Sequence, residues 1–280
     1  MKVPADKQLE HSVEAAEKGA GGQDIHPTAI LHADVVLGEN VRIGPYAIIG
    51  AGVSLGDGTE VMNHVTVQGT TRIGRNNRIY PYAAIGLDPQ DKKYEFGSKS
   101  ELEIGDGNTF RENVTVHRGT TGGDGTTRVG NGNFILSYCH IGHDCVVRDQ
   151  TIFANCATLG GFVTVHDRAY LGGFTAVHPF CRIGELAITG GHTMVAQDIP
   201  PFVNATGNRA KLYGINKIGM QRAGYSDEEM QNMAKAYKIF FRSKLSAGEA
   251  LAKLDKRFSE SPVVMKFAEF VKQSERGICR

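Results

Sequence analysis

The sequence predicts a parallel β-helix, in which short strands wind around a triangular prism, followed by a small α-helical domain. Three observations support this: large apolar residues recur every six positions, glycines often follow them, and two polar interruptions leave the repeat intact. Neither the helical period of about 3.6 nor the strand period of about 2 produces strict sixes. A triangular coil does, because each six-residue side holds one short strand and one corner, and three sides complete a turn.

The six-residue repeat runs unbroken from Ile25 to Ile85, returns at Ile104, and continues from Val129 to Ile183. Four positions after each aliphatic residue comes a second small or β-branched residue, which suits the narrow interior of such a coil. Three cysteines occupy this second position, so we predict that they pack in the core and have no metal or redox role. They are Cys139, Cys145 and Cys181.

The repeat also sets the expected domain boundaries. Residues 25–201 should form the β-helix, preceded by a polar leader over residues 1–24. Two polar, glycine-rich segments, near 87–103 and 117–128, should loop out of the prism, and loops on a rigid scaffold often carry binding groups. Residues 202–280 should form a helical domain that covers the open end of the coil, which would otherwise expose unpaired strand edges.

Three helix-start signals lie in this C-terminal segment. Residues 226–229 and 246–249 each begin with Ser and end with Glu, which is the spacing of a capping box. The first is followed by an amphipathic stretch that ends near Ser243. At Ser261-Pro262, proline falls at the first helical position, where its missing N–H costs nothing. We therefore expect three helices.

Composition limits the compartment and the partners. No apolar run among the 280 residues approaches the ~20 needed for a membrane span, and the N-terminus lacks the apolar stretch of a secretory signal. Five cysteines, an odd number, favour a reducing cytoplasm over a disulfide framework. Residues 205–280 carry 15 Lys and Arg against 8 Asp and Glu, which suits an acidic partner, although a solvated helical surface is the alternative. We expect no nucleic-acid partner.

Residues 137–145 hold the candidate catalytic groups. Residues one coil turn apart lie above one another at the strand spacing of about 4.8 Å, so His140, His143 and Asp144 should face a wall left bare by glycines. A His beside an Asp can act as a general base, because the carboxylate stabilises the imidazolium that forms; a plain surface histidine is the alternative. The wall consists of Gly160, Gly161, Gly172, Gly173, Gly190 and Gly191.

Zinc is a weaker hypothesis for this cluster. Hexapeptide β-helices also include a class of carbonic anhydrase whose zinc site uses a His-x-x-x-x-His pair. No such pair occurs in this sequence, since His140 and His143 are only three positions apart. We therefore expect no metal site.

Five segments of the chain together form a specific pattern: IHPTAI (25–30), NVTVHRGT (113–120), HIGHDC (140–145), GGFTAVHPF (172–180) and VAQDIPPF (195–202). From Ile25 to Arg280, these segments and their separations resemble the UDP-N-acetylglucosamine O-acyltransferases of lipid A biosynthesis. The resemblance implies that the β-helix is left-handed and that the protein is a homotrimer with active sites in clefts between adjacent prisms. It also implies that acyl carrier protein delivers a 3-hydroxyacyl thioester to the 3-hydroxyl of UDP-N-acetylglucosamine. No cofactor is expected beyond the phosphopantetheine of the carrier.

The resemblance also implies roles for individual residues. His143 matches the catalytic base, Asp144 its orienting partner, and the N–H of Gly161 the donor to the tetrahedral oxyanion. Gly191 matches the position that limits acyl length, and a glycine there implies a longer chain. Positions near the sugar nucleotide match Asp91, Lys93, His140 and His178, and positions near the uridine or the carrier match Asn216 and Arg222.

Three residues depart from the family pattern. Phe162 stands where the family usually has His, Pro179 where it has Gln, and Ala223 where it has a second Arg. These departures leave open an acceptor that carries an amine instead of a hydroxyl at position 3. A third possibility is a non-catalytic β-helix that serves as a scaffold, although a scaffold has no use for the His143-Asp144 pair.

Overall fold

The computed structural model describes residues 22–280, and their main body is a left-handed parallel β-helix, as predicted. Its first strand begins at Asp24, one residue before the expected boundary. The predicted leader therefore lies almost wholly outside the described residues. No helix within residues 22–280 is long and apolar enough to cross a membrane.

Three sheets form the sides of the prism, and the chain visits them in turn. Their strands are parallel except for the last strand of the first face. The first face consists of Asp24–Ile25, Arg42–Ile43, Glu60–Val61, Arg78–Ile79, Thr109–Phe110, Phe134–Ile135, Ile152–Phe153, Tyr170–Leu171, Ile188–Thr189, Val203–Thr206 and Lys211–Ile215. The second face consists of Ile30–Leu31, Ile48–Ile49, Thr66–Val67, Ala84–Leu87, Thr115–His117, His140–Ile141, Thr158–Leu159, Ala176–Val177 and Met194–Val195. The third face consists of Val36–Leu37, Val53–Leu55, Thr70–Ile73, Glu101–Ile104, Thr126–Val129, Val146–Val147, Thr164–Val165 and Arg182–Ile183.

Both predicted loops leave the prism, but each is shorter than the sequence suggested. Glu101–Ile104 and Thr126–Val129 are strands of the third face, so the loops span 88–100 and 118–125. The segment ELEI has strand alternation, with Leu102 fully buried, but its two glutamates made it look like part of the polar loop. The coil register survives both loops, because Ala84 pairs with Thr115 and Thr115 with His140.

The interior of the prism is apolar and narrow. The six-residue aliphatics are buried from Ile43 to Ile183, and the three predicted core cysteines are buried as free thiols. Burial raises the pKa of Cys139 and Cys145 to about 12 and that of Cys181 to about 11, so all three stay protonated at neutral pH. Their packing role is as predicted.

A ladder of buried asparagines runs along the corner that leads into the first face. Asn108 donates from its N–H and its Nδ2 to Asn77 Oδ1, at 2.9 and 3.0 Å. Asn133 donates in the same way to Asn108 Oδ1, at 2.9 Å in both cases. Thr151 adds the next rung, from its N–H at 2.8 Å and its Oγ1 at 2.6 Å to Asn133 Oδ1. Each amide therefore satisfies a corner N–H that would otherwise be buried without a partner.

The C-terminal segment is not helical from its start. Val203–Thr206 and Lys211–Ile215 form an antiparallel hairpin that extends the first face, so the helices begin at Lys217 and not at residue 202. The first helix, α1 (Lys217–Arg222), has no strong start signal apart from its N-cap Asn216 and was not predicted. The three predicted helices are present as α2 (Asp227–Arg242), α3 (Ala247–Arg257) and α4 (Pro262–Lys272). Both capping boxes are formed, and Pro262 begins α4.

The last residues return to the upper end of the coil. Cys279 donates its N–H to the carbonyl of Asp198 at 3.0 Å, and Asp198 donates its own N–H to the carbonyl of Gly277 at 2.8 Å. The buried carboxylate of Asp198 accepts from Ser274 Oγ at 2.7 Å and from the N–H of Arg182 at 2.8 Å. The helical segment is thus attached to the coil at both of its ends.

We expect Asn108→Ala to lower the free energy of unfolding by about 2–4 kcal/mol, because buried groups of Asn133 and Gly130 lose their partner. Asn131→Ala is the matched control: Asn131 also forms hydrogen bonds, but it is exposed, so water replaces them. Urea unfolding of both variants measures the difference, and equal losses would contradict a special role for the buried ladder.

Candidate active site

Three successive coils bring two loops and the predicted His-Asp pair to one corner of the prism. At the corner between the second and third faces, loop 88–100 leaves after Ala84–Leu87 and loop 118–125 leaves after Thr115–His117. One coil further on, no loop interrupts the corner, and His143 and Asp144 occupy it. The parallel register thus stacks three segments that are far apart in sequence.

The side chains of His143 and Asp144 form a hydrogen-bonded pair. His143 Nδ1 lies 2.8 Å from Asp144 Oδ2, and the two side chains are only 15% and 4% exposed. Thr120 donates to the same carboxylate, from its N–H to Oδ1 at 2.9 Å and from Oγ1 to Oδ2 at 2.7 Å. A carboxylate accepts hydrogen bonds, so Nδ1 of His143 is the donor of this pair, and Nε2 is the ring nitrogen that the pair leaves free. This arrangement orients a base.

The backbone of Asp144 is held as firmly as its side chain. Its φ is 59°, in the left-handed region that a non-glycine residue adopts only where its surroundings impose it. Here the coil imposes it, because Phe162 and Phe180 occupy the same corner in the next two coils with φ of 62° and 67°. Thr127 Oγ1 accepts the N–H of Asp144 at 2.8 Å.

Gly161 lies directly above His143, as the predicted register requires, and only glycine fits there. A Cβ at this position would lie 2.5 Å from Cε1 and 2.6 Å from Nε2 of His143. The imidazole therefore lies against bare backbone. Within residues 22–280, the N–H of Gly161 donates to no protein acceptor, so it is available to a ligand beside Nε2.

Two aromatic side chains form a wall beside the base. The ring of Phe162 meets the His143 ring edge-on, with centroids 5.4 Å apart, and stacks on Phe180 at 4.7 Å. A Cβ on Gly123 would touch Phe162 at 3.1 Å, so loop 118–125 covers this ring. Phe162, one of the three departures, keeps the base in an apolar setting on this side.

A second histidine of the segment is held neutral. His140 Nδ1 lies 2.8 Å from Thr115 Oγ1, and its ring meets that of His117 edge-on at 5.1 Å. Burial, with His117 and His143 nearby, lowers the pKa of His140 to about 4, and burial also lowers the pKa of His117. Both rings are therefore uncharged at neutral pH and can serve as hydrogen-bonding groups but not as cations.

The other predicted binding residues are spread over several elements. Asp91 and Lys93 lie in loop 88–100, where Asp91 Oδ1 accepts the N–H of Lys93 at 3.0 Å and the Lys93 side chain is exposed. His178 is exposed two coils above Gly142, with its Nδ1 3.1 Å from Nη2 of Arg276. Gly191 is exposed, and a Cβ there would meet only the Gly173 carbonyl, at 3.5 Å.

The structure does not bring Asn216 and Arg222 to this corner. Asn216 is buried, donates from Nδ2 to the carbonyl of Leu186 at 2.8 Å, and caps α1 by accepting the N–H of Gly219 at 2.9 Å. Leu186 lies at the corner between the third and first faces, away from His143. Arg222 is exposed in the last turn of α1. Their predicted contact with the ligand or carrier stays a prediction.

Sequence reasoning missed the residues that hold the pair in place. Thr120 lies inside loop 118–125 and Thr127 in the strand that follows it. They contact Asp144 from 24 and 17 positions away, and neither separation matches a coil period. Thr120 is the last residue of the segment NVTVHRGT, which belongs to the family pattern. That pattern marked the residue but did not indicate what it contacts. Within residues 22–280, no cluster of three or more His, Cys, Asp or Glu side chains could hold a metal ion.

Comparison with known proteins bears on the identity of this arrangement. A family model for six-residue repeats of bacterial transferases matches residues 34–69 and 126–161. A second model, described as domain 2 of UDP-N-acetylglucosamine O-acyltransferase, matches residues 198–279. Fold and sequence thus agree over both parts of the chain, and they define a hexapeptide-repeat acyltransferase.

Full-length relatives are more specific. The chain is 48% identical to an acyl-acyl-carrier-protein–UDP-N-acetylglucosamine O-acyltransferase of Thermodesulfovibrio yellowstonii, over 92% of this chain and 99% of the relative. A protein of the same name from Halorhodospira halophila is 45% identical to the chain, over 91% of this chain and 99% of the relative. The crystal structure of the Francisella novicida UDP-N-acetylglucosamine acyltransferase superposes with a TM-score of 0.90 at 38% identity, covering 91% of this chain and 94% of that one. The chain belongs to the family of UDP-N-acetylglucosamine O-acyltransferases.

The lowered pKa of His140 predicts a dependence of stability on pH. An unfolded histidine titrates near 6.5, so the neutral buried ring contributes stability that is fully present above about pH 6.5 and is lost as pH falls towards about 4. We expect the free energy of unfolding to fall by up to roughly 2 kcal/mol between pH 7 and pH 5 on account of this residue.

Urea unfolding at both pH values measures this loss. His140→Gln should show a smaller loss than the parent, whereas His26→Gln, at an exposed position where the ring contacts Thr28, should keep the parent dependence. If His140→Gln and the parent lose the same free energy, His140 is not the neutral group that we infer.

Proposed function

We propose that the protein transfers a 3-hydroxyacyl chain from acyl carrier protein to the 3-hydroxyl of UDP-N-acetylglucosamine, the first step of lipid A biosynthesis. The observation that carries the proposal is the pairing of His143 with Asp144 beneath the bare backbone of Gly161. The relatives that match nearly the whole chain are named for this reaction, and the site contains the groups that the reaction requires.

The chemistry follows from the geometry of the pair. Nε2 of His143 takes the proton of the sugar 3-hydroxyl while its oxygen attacks the thioester carbonyl. Asp144, fixed by Thr120, stabilises the imidazolium that forms. The N–H of Gly161 donates to the oxyanion, an interaction typically worth ~3 kcal/mol. Collapse of the intermediate breaks the C–S bond, and the imidazolium returns its proton to the thiol of the carrier.

The neighbouring polar groups suit a sugar nucleotide. Lys93 offers an exposed cation to a diphosphate, and Asp91 lies two residues before it in the same loop. Neutral His140 and exposed His178 lie on the second face, on either side of the Gly160–Gly161 backbone, as hydrogen-bonding groups. We assign these four residues to the acceptor and no metal or cofactor to the reaction.

A homotrimer would account for an exposed aromatic surface of the prism and for the position of helix α1. The corner between the first and second faces carries stacked Tyr46, His64 and Tyr82, with successive centroids 5.1 Å apart. Both tyrosines are 58% exposed, and such an aromatic edge is typical of a subunit interface. Arg222 is exposed and lies away from the corner of its own His143, so we assign its contact to a site on a neighbouring subunit. Asn216, whose side chain is engaged with Leu186 and Gly219, supports that position of α1 from within.

The helical segment suits an acidic carrier protein. Exposed lysines of α2, α3 and the connection between them present positive charge to solvent, and electrostatic attraction of this kind accelerates encounter with an acidic partner. We assign the protein to the cytoplasm, where its five free cysteines stay reduced. The exposed lysines are Lys235, Lys238, Lys244, Lys253 and Lys256.

The proposal is tested by acyl transfer from 3-hydroxyacyl carrier proteins of several lengths to UDP-N-acetylglucosamine and, in parallel, to its 3-amino analogue. We expect transfer to the hydroxyl sugar, and its near-complete loss in His143→Ala with an unchanged circular dichroism spectrum. His32→Ala is the control, since His32 also pairs with a carboxylate, Asp34, at 2.6 Å but is exposed at another coil. Transfer to the 3-amino analogue alone would mean that the acceptor carries an amine at position 3. Transfer to neither sugar would favour the hypothesis of a non-catalytic scaffold.

Gly191 predicts the acyl length. Because a Cβ there meets only ordinary contact, the groove beside it is open, and Gly191→Met should close it. We expect the variant to shift its preference towards shorter 3-hydroxyacyl donors, with kcat/KM for the longest accepted chain reduced about tenfold or more. Gly248→Met, on the surface of α3 with nothing within 4 Å, is the control. An unchanged donor profile would remove Gly191 from this role.

A further inference from the structure

The side chain of Arg118 lies buried at the junction of the two loops. It is 11% exposed, and its guanidinium contacts three parts of the neighbouring coil. Nη1 donates to the carbonyl of Gly86, Nη2 forms an ion pair with Asp88, and Nε donates to Ser100 Oγ at 3.3 Å. One guanidinium therefore touches the residues at which loop 88–100 begins and ends.

The same contacts reach the middle of that loop. Tyr94 donates from its hydroxyl to Asp88 Oδ1 at 3.1 Å, on the carboxylate that Arg118 binds. Tyr94 also donates its N–H to the carbonyl of Asp91 at 3.0 Å. Arg118, Asp88 and Tyr94 thus form a chain of polar contacts that ends at the turn carrying Asp91 and Lys93.

Two further features indicate that the loop depends on these contacts. A Cβ on Gly69 would collide with Nη1 of Arg118, so the coil below leaves bare backbone for the guanidinium to occupy. Beneath the loop lies a cavity of about 380 Å³, lined by residues that include Thr70, Ser98 and Glu101. A buried arginine is costly to desolvate, and its full set of partners offsets that cost.

We propose that Arg118 is a positioning residue that holds loop 88–100 in the conformation that binds the sugar nucleotide. It acts through Asp88 and Tyr94 on the turn at Asp91 and Lys93, and it touches neither His143 nor Asp144. Thr120, two residues further on, orients Asp144. Two nearby residues of one segment therefore serve different parts of the site: Arg118 serves the binding of the acceptor, and Thr120 serves the base. The inference rests on the proposed function for the identity of the acceptor.

Steady-state kinetics of the full chain separate these roles. We expect Arg118→Met to raise KM for UDP-N-acetylglucosamine by tenfold or more while kcat falls less than threefold, because the base is untouched. Asp88→Asn and Tyr94→Phe weaken the same series of polar contacts at points further from Arg118. They should raise the KM for UDP-N-acetylglucosamine by smaller factors. Arg118→Lys keeps the positive charge but lacks the several N–H donors of the guanidinium. Its KM should lie between those of the parent and Arg118→Met. Arg72→Met is the matched control, since Arg72 is half-exposed and bonds Glu101 and Glu103 on the third face.

Limited trypsin digestion measures the loop without any substrate. Lys92, Lys93 and Lys99 are exposed cleavage sites within loop 88–100. We expect Arg118→Met and Asp88→Asn to be cut there at least fivefold faster than the parent, with Arg72→Met unchanged. Should Arg118→Met fail to fold, Asp88→Asn and Tyr94→Phe carry the same comparison.

The two readouts distinguish failure of this inference from failure of the proposed function. If the parent transfers no acyl chain to the sugar nucleotide, the proposed acceptor is wrong, whatever the digestion shows. If the parent is active but the variants at Arg118, Asp88 and Tyr94 keep the parent KM and digestion rate, the positioning role is overturned. A fall in kcat with unchanged KM would also overturn it, because Arg118 would then act on the catalytic pair.

Discussion

The structure depends on the parallel hydrogen bonds that join each strand of the prism to the strand one coil below it on the same face. These bonds allow one spacing, so every aliphatic of the repeat lies on the next, and each corner residue lies on a corner residue. A shift of one residue would turn the buried side chains outward. The two loops are tolerated because they leave and re-enter at a corner, where Ala84, Thr115 and His140 stay in register.

The same constraint builds the site. Stacking brings loop 88–100, loop 118–125 and the His143-Asp144 pair together at one corner without any bend in the scaffold. It also places Gly161 over His143, so a bare stretch of backbone lies beside the base. A rigid frame of this kind suits the proposed reaction, because it fixes the backbone N–H of Gly161 and Nε2 of His143 relative to each other before any ligand binds.

Two sets of buried polar groups inside this frame have defined hydrogen-bond partners. The asparagine ladder pairs N–H groups that the corners leave over, and Thr120 with Thr127 fixes a buried carboxylate from two sides. Phe162 shows how the frame tolerates a departure from the family pattern. Its backbone conformation is set by the coil, so an aromatic ring replaces an imidazole while the Gly161 backbone and the His143-Asp144 contact remain.

The sequence by itself determined the β-helix, the burial of Cys139, Cys145 and Cys181, three helices of the tail and the candidate pair, because periodicity and capping boxes are local signals. It did not determine the true loop ends, the hairpin at 203–215, helix α1, or the roles of Thr120 and Arg118. The roles of Thr120 and Arg118 depend on contacts between segments 17 to 32 positions apart that follow no repeat. The hairpin depends on antiparallel pairing, which the six-residue pattern does not contain. Only the tertiary structure decides which side chains meet in these regions. The register of the strands aligns the coils, but it does not fix the contacts that the loops make.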